Sequence, residues 1–184
     1  MTSERPRGGP DVSGPTPPGR QVSSQRLPEA EARGRAERRP WWLLLLPASF
    51  LLHLVEEWWA GEGFSAWTAR VFDPPIGSER FLLINGIAWP IFALATIAGI
   101  LRPKLAWLPT ALATLVTVNA GLHLLGTVAT VAYSPGLVSG LLLYLPIGIA
   151  ALSHGRRVLP SSSFRLGVVT GLLVHALVLV IALS

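Results

Sequence analysis

The chain has 184 residues, 51% hydrophobic and 14% charged, against about 25% charged in an ordinary soluble domain. Its net charge is +5, but eight of the 15 basic residues lie in the first 40 and the other seven flank apolar runs. That distribution argues for topology and lipid contact, not for nucleic acid. The lack of cysteine excludes disulfides, thiolate metal sites and cysteine nucleophiles.

Residues 1–40 are rich in Pro, Gly, Ser and charge. Such a tail buries too little apolar surface to offset its ordering entropy and should be disordered. Its last part, "EAEARGRAERR", is compatible with a transient helix at the headgroups, with Arg33, Arg35, Arg38 and Arg39 near anionic lipid. A membrane-embedded domain is expected over 41–184. Five apolar runs follow, at about 41–60, 81–101, 105–132, 136–153 and 164–183, each able to cross roughly 30 Å of hydrocarbon. The fold class expected is therefore all-α, a polytopic transmembrane helix bundle of about five spans. If the spans alternate, the tail, "RPK" at 102–104 and "HGRRVLPSSSFR" at 154–165 share one side with 13 basic residues. The other side has Arg70 and Arg80 alone. This places the amino terminus in the cytoplasm and the carboxyl terminus outside the cell membrane.

The first span contains "LLHLVEEWW", which sets His53, Glu56 and Glu57 on one helical face inside an apolar run. In the third span Asn119 and His123 share a face in the same way; Asn85 lies in the second span and His175 in the fifth. At about 1.5 Å per residue from the outer end of each span, Glu56 and Asn85 lie roughly 6 Å deep. His53 lies about 10 Å deep, His123 and His175 about 13 Å, and Asn119 roughly 19 Å. The spacing implies one buried polar site in the outer half of the bundle. Intramembrane carboxylates mark functional paths more often than packing, whereas a lone His or Asn often just bonds a neighbouring helix.

Gly136, Gly140, Tyr144 and Gly148 share a face, as do Gly167, Gly171 and His175, a spacing that lets helices approach closely. In the outer loop, "FSAWTARVF" spaces Phe64, Trp67, Val71 and Phe72 along one face. This reads either as an interfacial helix covering the site or as a loop packed on the bundle.

"HLVEE" at 53–57, "NAGLH" at 119–123, "YSPG" at 133–136 and Asn85 together resemble the HXXEE family of membrane proteins over about residues 45–155. The resemblance implies a multi-pass α-helical fold with a polar centre built from those residues, and no particular reaction.

Three chemistries suit the constellation. His53, Glu56, Glu57 and His123 offer nitrogen and oxygen donors for zinc, iron or manganese. The arrangement is not the zincin motif, whose two histidines share one helix. A mononuclear site would leave a position for water or for a lipophilic small molecule. Alternatively, Glu56, Glu57 and His123 act without metal, one carboxyl as acid and its neighbour as base. In either case Asn85, Asn119, Tyr144 and His175 would contact the substrate. The third chemistry is proton-coupled transport or binding. No inverted repeat is evident, so a homodimer would have to supply the symmetry. A structural scaffold is the remaining reading.

Overall fold

The computed structural model describes residues 39–73 and 75–183. The expected disordered tail and its juxtamembrane helix fall on residues 1–38, outside the described residues. Among the described residues all regular structure is helical. One 3-10 turn, Trp41–Leu44, leads into α1, Leu45–Trp59, and the two together extend about 30 Å. The chain then bends by 66° through Gly61 and Gly63, at φ 62° and 79°, into the short helix α2, Phe64–Val71. Four longer helices follow: α3, Ser78–Leu101; α4, Leu108–Thr130; α5, Leu137–Val158; and α6, Ser161–Leu183.

α3 to α6 are each long and apolar enough to cross a bilayer, and α1 with α2 makes a fifth crossing if the bent pair is one broken span. Rows of large apolar side chains face outward, such as Leu83, Ile87 and Leu94 on α3 and Leu173, Leu177 and Val180 on α6. In water such rows would be a liability; on helices of this length they are the lipid-facing surface. The chain is a multi-pass membrane protein.

α4 is the central post. Its Leu112, Leu115, Val116 and Ala120 are buried against Leu46 and Phe50 of α1, Ile100 of α3, and Tyr144 and Ala151 of α5. Lipid offers no hydrophobic drive to such packing, so close van der Waals fit must supply it. Glycines provide that fit. A Cβ at Gly148 would stand 2.2 Å from Thr117 Oγ1, and one at Gly171 would stand 2.3 Å from the Ala111 carbonyl. α5 and α6 therefore press on α4 nearly backbone to backbone.

α5 carries a π-helical turn at Gly140–Tyr144. Pro146 explains it: proline has no N–H for the Leu142 carbonyl and its ring collides with that carbonyl in a regular helix, so the turn widens. The widened turn carries Tyr144, one of the residues of the buried site.

Candidate metal centre

α1 presents His53 and Glu57 from one face, and α4 brings His123 against them. Glu57 Oε1 lies 3.5 Å from His53 Nε2 and 3.3 Å from His123 Nε2. All three side chains are buried, and one ligand atom from each falls within 4.8 Å of the others. A tetrahedral metal with bonds of about 2.1 Å separates its ligand atoms by about 3.4 Å. The two nitrogen–oxygen edges match that figure. His53 Nε2 has no hydrogen-bond partner, which leaves a buried nitrogen directed at the cluster. The trio can hold a metal ion.

The outer nitrogens of both imidazoles are engaged. His53 Nδ1 lies 2.7 Å from Ser139 Oγ, and His123 Nδ1 lies 3.1 Å from Ser134 Oγ. A hydroxyl on Nδ1 fixes the ring and leaves Nε2 for a metal, the arrangement usual around ligating histidines. The His53 ring also stacks on Tyr144, with centroids 4.2 Å apart. Gly136, at φ 101°, closes the site from the α4–α5 turn. A Cβ there would come within 2.7 Å of His123 Cε1 and 2.8 Å of His53 Cε1. Only glycine permits both the backbone conformation and the approach.

Glu56 points elsewhere. It accepts hydrogen bonds from the Val138 N–H at 2.8 Å, the Ser139 N–H at 2.5 Å and the Tyr133 hydroxyl. It thus caps the first turn of α5, where free N–H groups and the helix dipole favour a carboxylate. Ser139 meets Glu56 through its backbone N–H and His53 through its hydroxyl, so the contacts run from Glu56 through Ser139 to His53. Burial and the Glu56 carboxylate push the Tyr133 hydroxyl up to about 12, which keeps it a donor at any ordinary pH.

An inner cavity of about 110 Å³ adjoins the cluster and is lined by His53, Glu57, Tyr144, Asn85, Asn119 and His175, with apolar residues around them. Asn85 spends its amide on the Phe81 carbonyl of its own helix, 2.9 Å away. A second cavity of about 160 Å³ lies on the far side of Glu57, among Glu62, Ser65 and Ser78. Glu57, Phe64 and Phe81 line both, and the two phenylalanine rings are 5.4 Å apart. α2 thus covers the site, with Trp67 buried over Gly126, while Val71 and Phe72 remain exposed.

Over residues 44–151 the chain matches the family described as "Protein of unknown function with HXXEE motif". The chain belongs to the HXXEE family. No curated protein and no solved structure matches it. The matched region contains the trio of His53, Glu57 and His123 together with Glu56, Asn85, Asn119 and Tyr144, and leaves His175 outside. In this HXXEE protein the first and last residues of the motif join the cluster, and the first of its two glutamates, Glu56, holds the turn that supplies Ser139. Sequence reasoning missed Ser134 and Ser139; the only available signal was that "YSPGLVS" is a turn entering a helix.

Proposed function

We propose that this HXXEE protein is an intramembrane enzyme that holds one divalent transition metal on His53, Glu57 and His123. It acts on a lipophilic substrate seated in the adjoining cavity. The observation that carries this reading is the pair of edges, 3.3 Å and 3.5 Å, that Glu57 Oε1 makes with the two Nε2 atoms. Those edges favour zinc, and the donor set also suits iron or manganese. Such a metal, when bound, polarises a carbonyl or acidifies a water. The chain's own residues set the conditions. Ser134 and Ser139 hold the imidazole rings through their Nδ1 atoms, Tyr144 fixes the His53 plane, and Phe64 and Phe81 line both the inner cavity and the outer one. The basic-residue asymmetry supports a cytoplasmic amino terminus and an outward-opening site.

Proton-coupled transport is the second reading, favoured by Glu57 lying in the wall between two cavities. Elemental analysis of detergent-purified wild type, His53→Ala and His123→Ala tests the metal. About one equivalent of transition metal, absent from both variants, is expected. Folded protein that stays metal-free after supplementation refutes the centre. Lipid analysis of nanodiscs holding wild type or Glu57→Gln then tests catalysis: a species consumed by wild type alone is expected, and a bound metal with no lipid consumed gives the site to transport.

A further inference from the structure

Besides His53 Nε2 of the metal-binding cluster, two polar atoms in the inner cavity have no partner. Asn119 Oδ1 on α4 and His175 Nε2 on α6 are shielded from solvent and make no hydrogen bond, and both side chains line the cavity. His175 is only 7% exposed. Buried polar atoms in native proteins are almost always paired, and two exceptions on different helices around one space indicate a ligand that pairs them.

The surrounding wall restricts that ligand. No Lys or Arg lines the cavity, so a carboxylate or phosphate would be buried unpaired beside Glu57. A hydroxyl has the donor and the acceptor that the two atoms need: it donates to Asn119 Oδ1 and accepts from the Nε2–H of a neutral His175. The match also survives a flipped amide, because a hydroxyl oxygen accepts from two donors, whereas the other imidazole tautomer would ask its single O–H to donate twice. At about 110 Å³ the space is smaller than the ~150 Å³ cavity known to accept benzene. It holds a hydroxyl and a few carbons, not a ring system. Its wall thins at Ile84 and Ala88 on α3 and at Val178 and Leu179 on α6, which line the cavity and are partly exposed. Beside them lie the outward rows of Leu83, Ile87, Leu177 and Val180.

We propose that the inner cavity binds the hydroxyl end of an uncharged, unbranched long-chain alcohol, whose hydrocarbon leaves between α3 and α6 into the lipid. This deepens the proposed function by naming its substrate class, and its test does not require the metal.

The probe is 1-octanol carrying a diazirine at its third carbon, with the matching diazirine octane as control, photolysed against the full chain in nanodiscs. Saturable adducts on the α4 and α6 peptides that contain Asn119 and His175 are expected, competed by 1-decanol and absent with the octane. Asn119→Leu and His175→Leu should each raise the half-saturating concentration about tenfold, the loss of one hydrogen bond. Equal labelling by both probes, or unchanged labelling in both variants, overturns the proposal. Thermal unfolding of Asn119→Leu guards against a folding artefact. Removing an unpartnered atom should leave its unfolding temperature equal to or above wild type, whereas a marked fall would assign Asn119 to helix packing and overturn the proposal. Repeating the labelling on chelator-stripped wild type separates the two readings: adducts that persist there stand even if the metal centre fails.

Discussion

Replacing Glu56 and Glu57 each by glutamine should produce two different failures. Glu56 accepts two backbone N–H groups and a phenol, and a hydrogen bond to a charged group contributes about 1.5–3 kcal/mol. The side chain is only half-buried, so the lower figure applies. Glutamine keeps one acceptor oxygen and loses the other, together with about 0.3–1 kcal/mol of attraction to the α5 amino terminus. Glu56→Gln should therefore cost about 2–2.5 kcal/mol. Because Ser139 would lose its anchor, metal affinity should also fall about 10–100-fold, as it does when an outer-shell partner of a ligand is lost. Glu57→Gln removes the anionic ligand itself. It should abolish metal binding and also destabilise the metal-free protein, since Glu57 is the shared partner of two buried imidazoles. Chelator-competition titration and thermal unfolding with and without zinc read both quantities. Metal retained at wild-type affinity in Glu57→Gln and lost in Glu56→Gln would reverse the assignment and refute the reasoning.

Gly136→Ala should cost about 2–4 kcal/mol, from the positive φ and from crowding both imidazoles, and should empty the metal site. Gly121→Ala on α4, where a Cβ meets nothing within 4 Å, should be neutral or mildly stabilising in the same unfolding assay. The absence of cysteine makes orientation directly testable: Ser65→Cys should react with a membrane-impermeant maleimide in intact cells, and Ser163→Cys only after lysis. Tyr133→Phe tests the phenol. Its raised value means the wild type's advantage is fully present below pH 10 and is lost as pH rises towards about 12. The stability gap between the two proteins should close across that window in alkaline unfolding.

Pairing of His53 with Glu57 was legible because residues four apart on a helix share a face. The same rule admits Glu56 at three apart, and helix periodicity has no means of choosing between them. The choice is made by the α4–α5 turn, whose free N–H groups and Tyr133 take Glu56. Ser134 and Ser139 left no trace in the apolar pattern, since a serine in a turn or membrane helix ordinarily satisfies itself on nearby backbone. The all-α architecture was readable from run lengths alone, and so were α3 to α6. The first run, 41–60, was readable too, helical over Trp41–Trp59, although its opening 3-10 turn shares one composition with the α-helix. The sharp exit into α2 depends on the conformations of Gly61 and Gly63.

The trio also has a history in time. His53 and Glu57 are synthesised 66 or more residues before His123 and still longer before Ser139, an interval of several seconds at about 5–20 residues per second. During that interval the first segment carries an ionisable pair with nothing to answer it, and an acidic residue costs about 2.5–3.5 kcal/mol at the centre of a span and less towards its end. Its carboxylates sit beside Trp58 and Trp59, at the end that bends away through two glycines, where the aqueous boundary is nearest. Biogenesis can therefore proceed with the first segment waiting at that boundary. The glycines of α5 and α6 that press on α4 come later in the chain still.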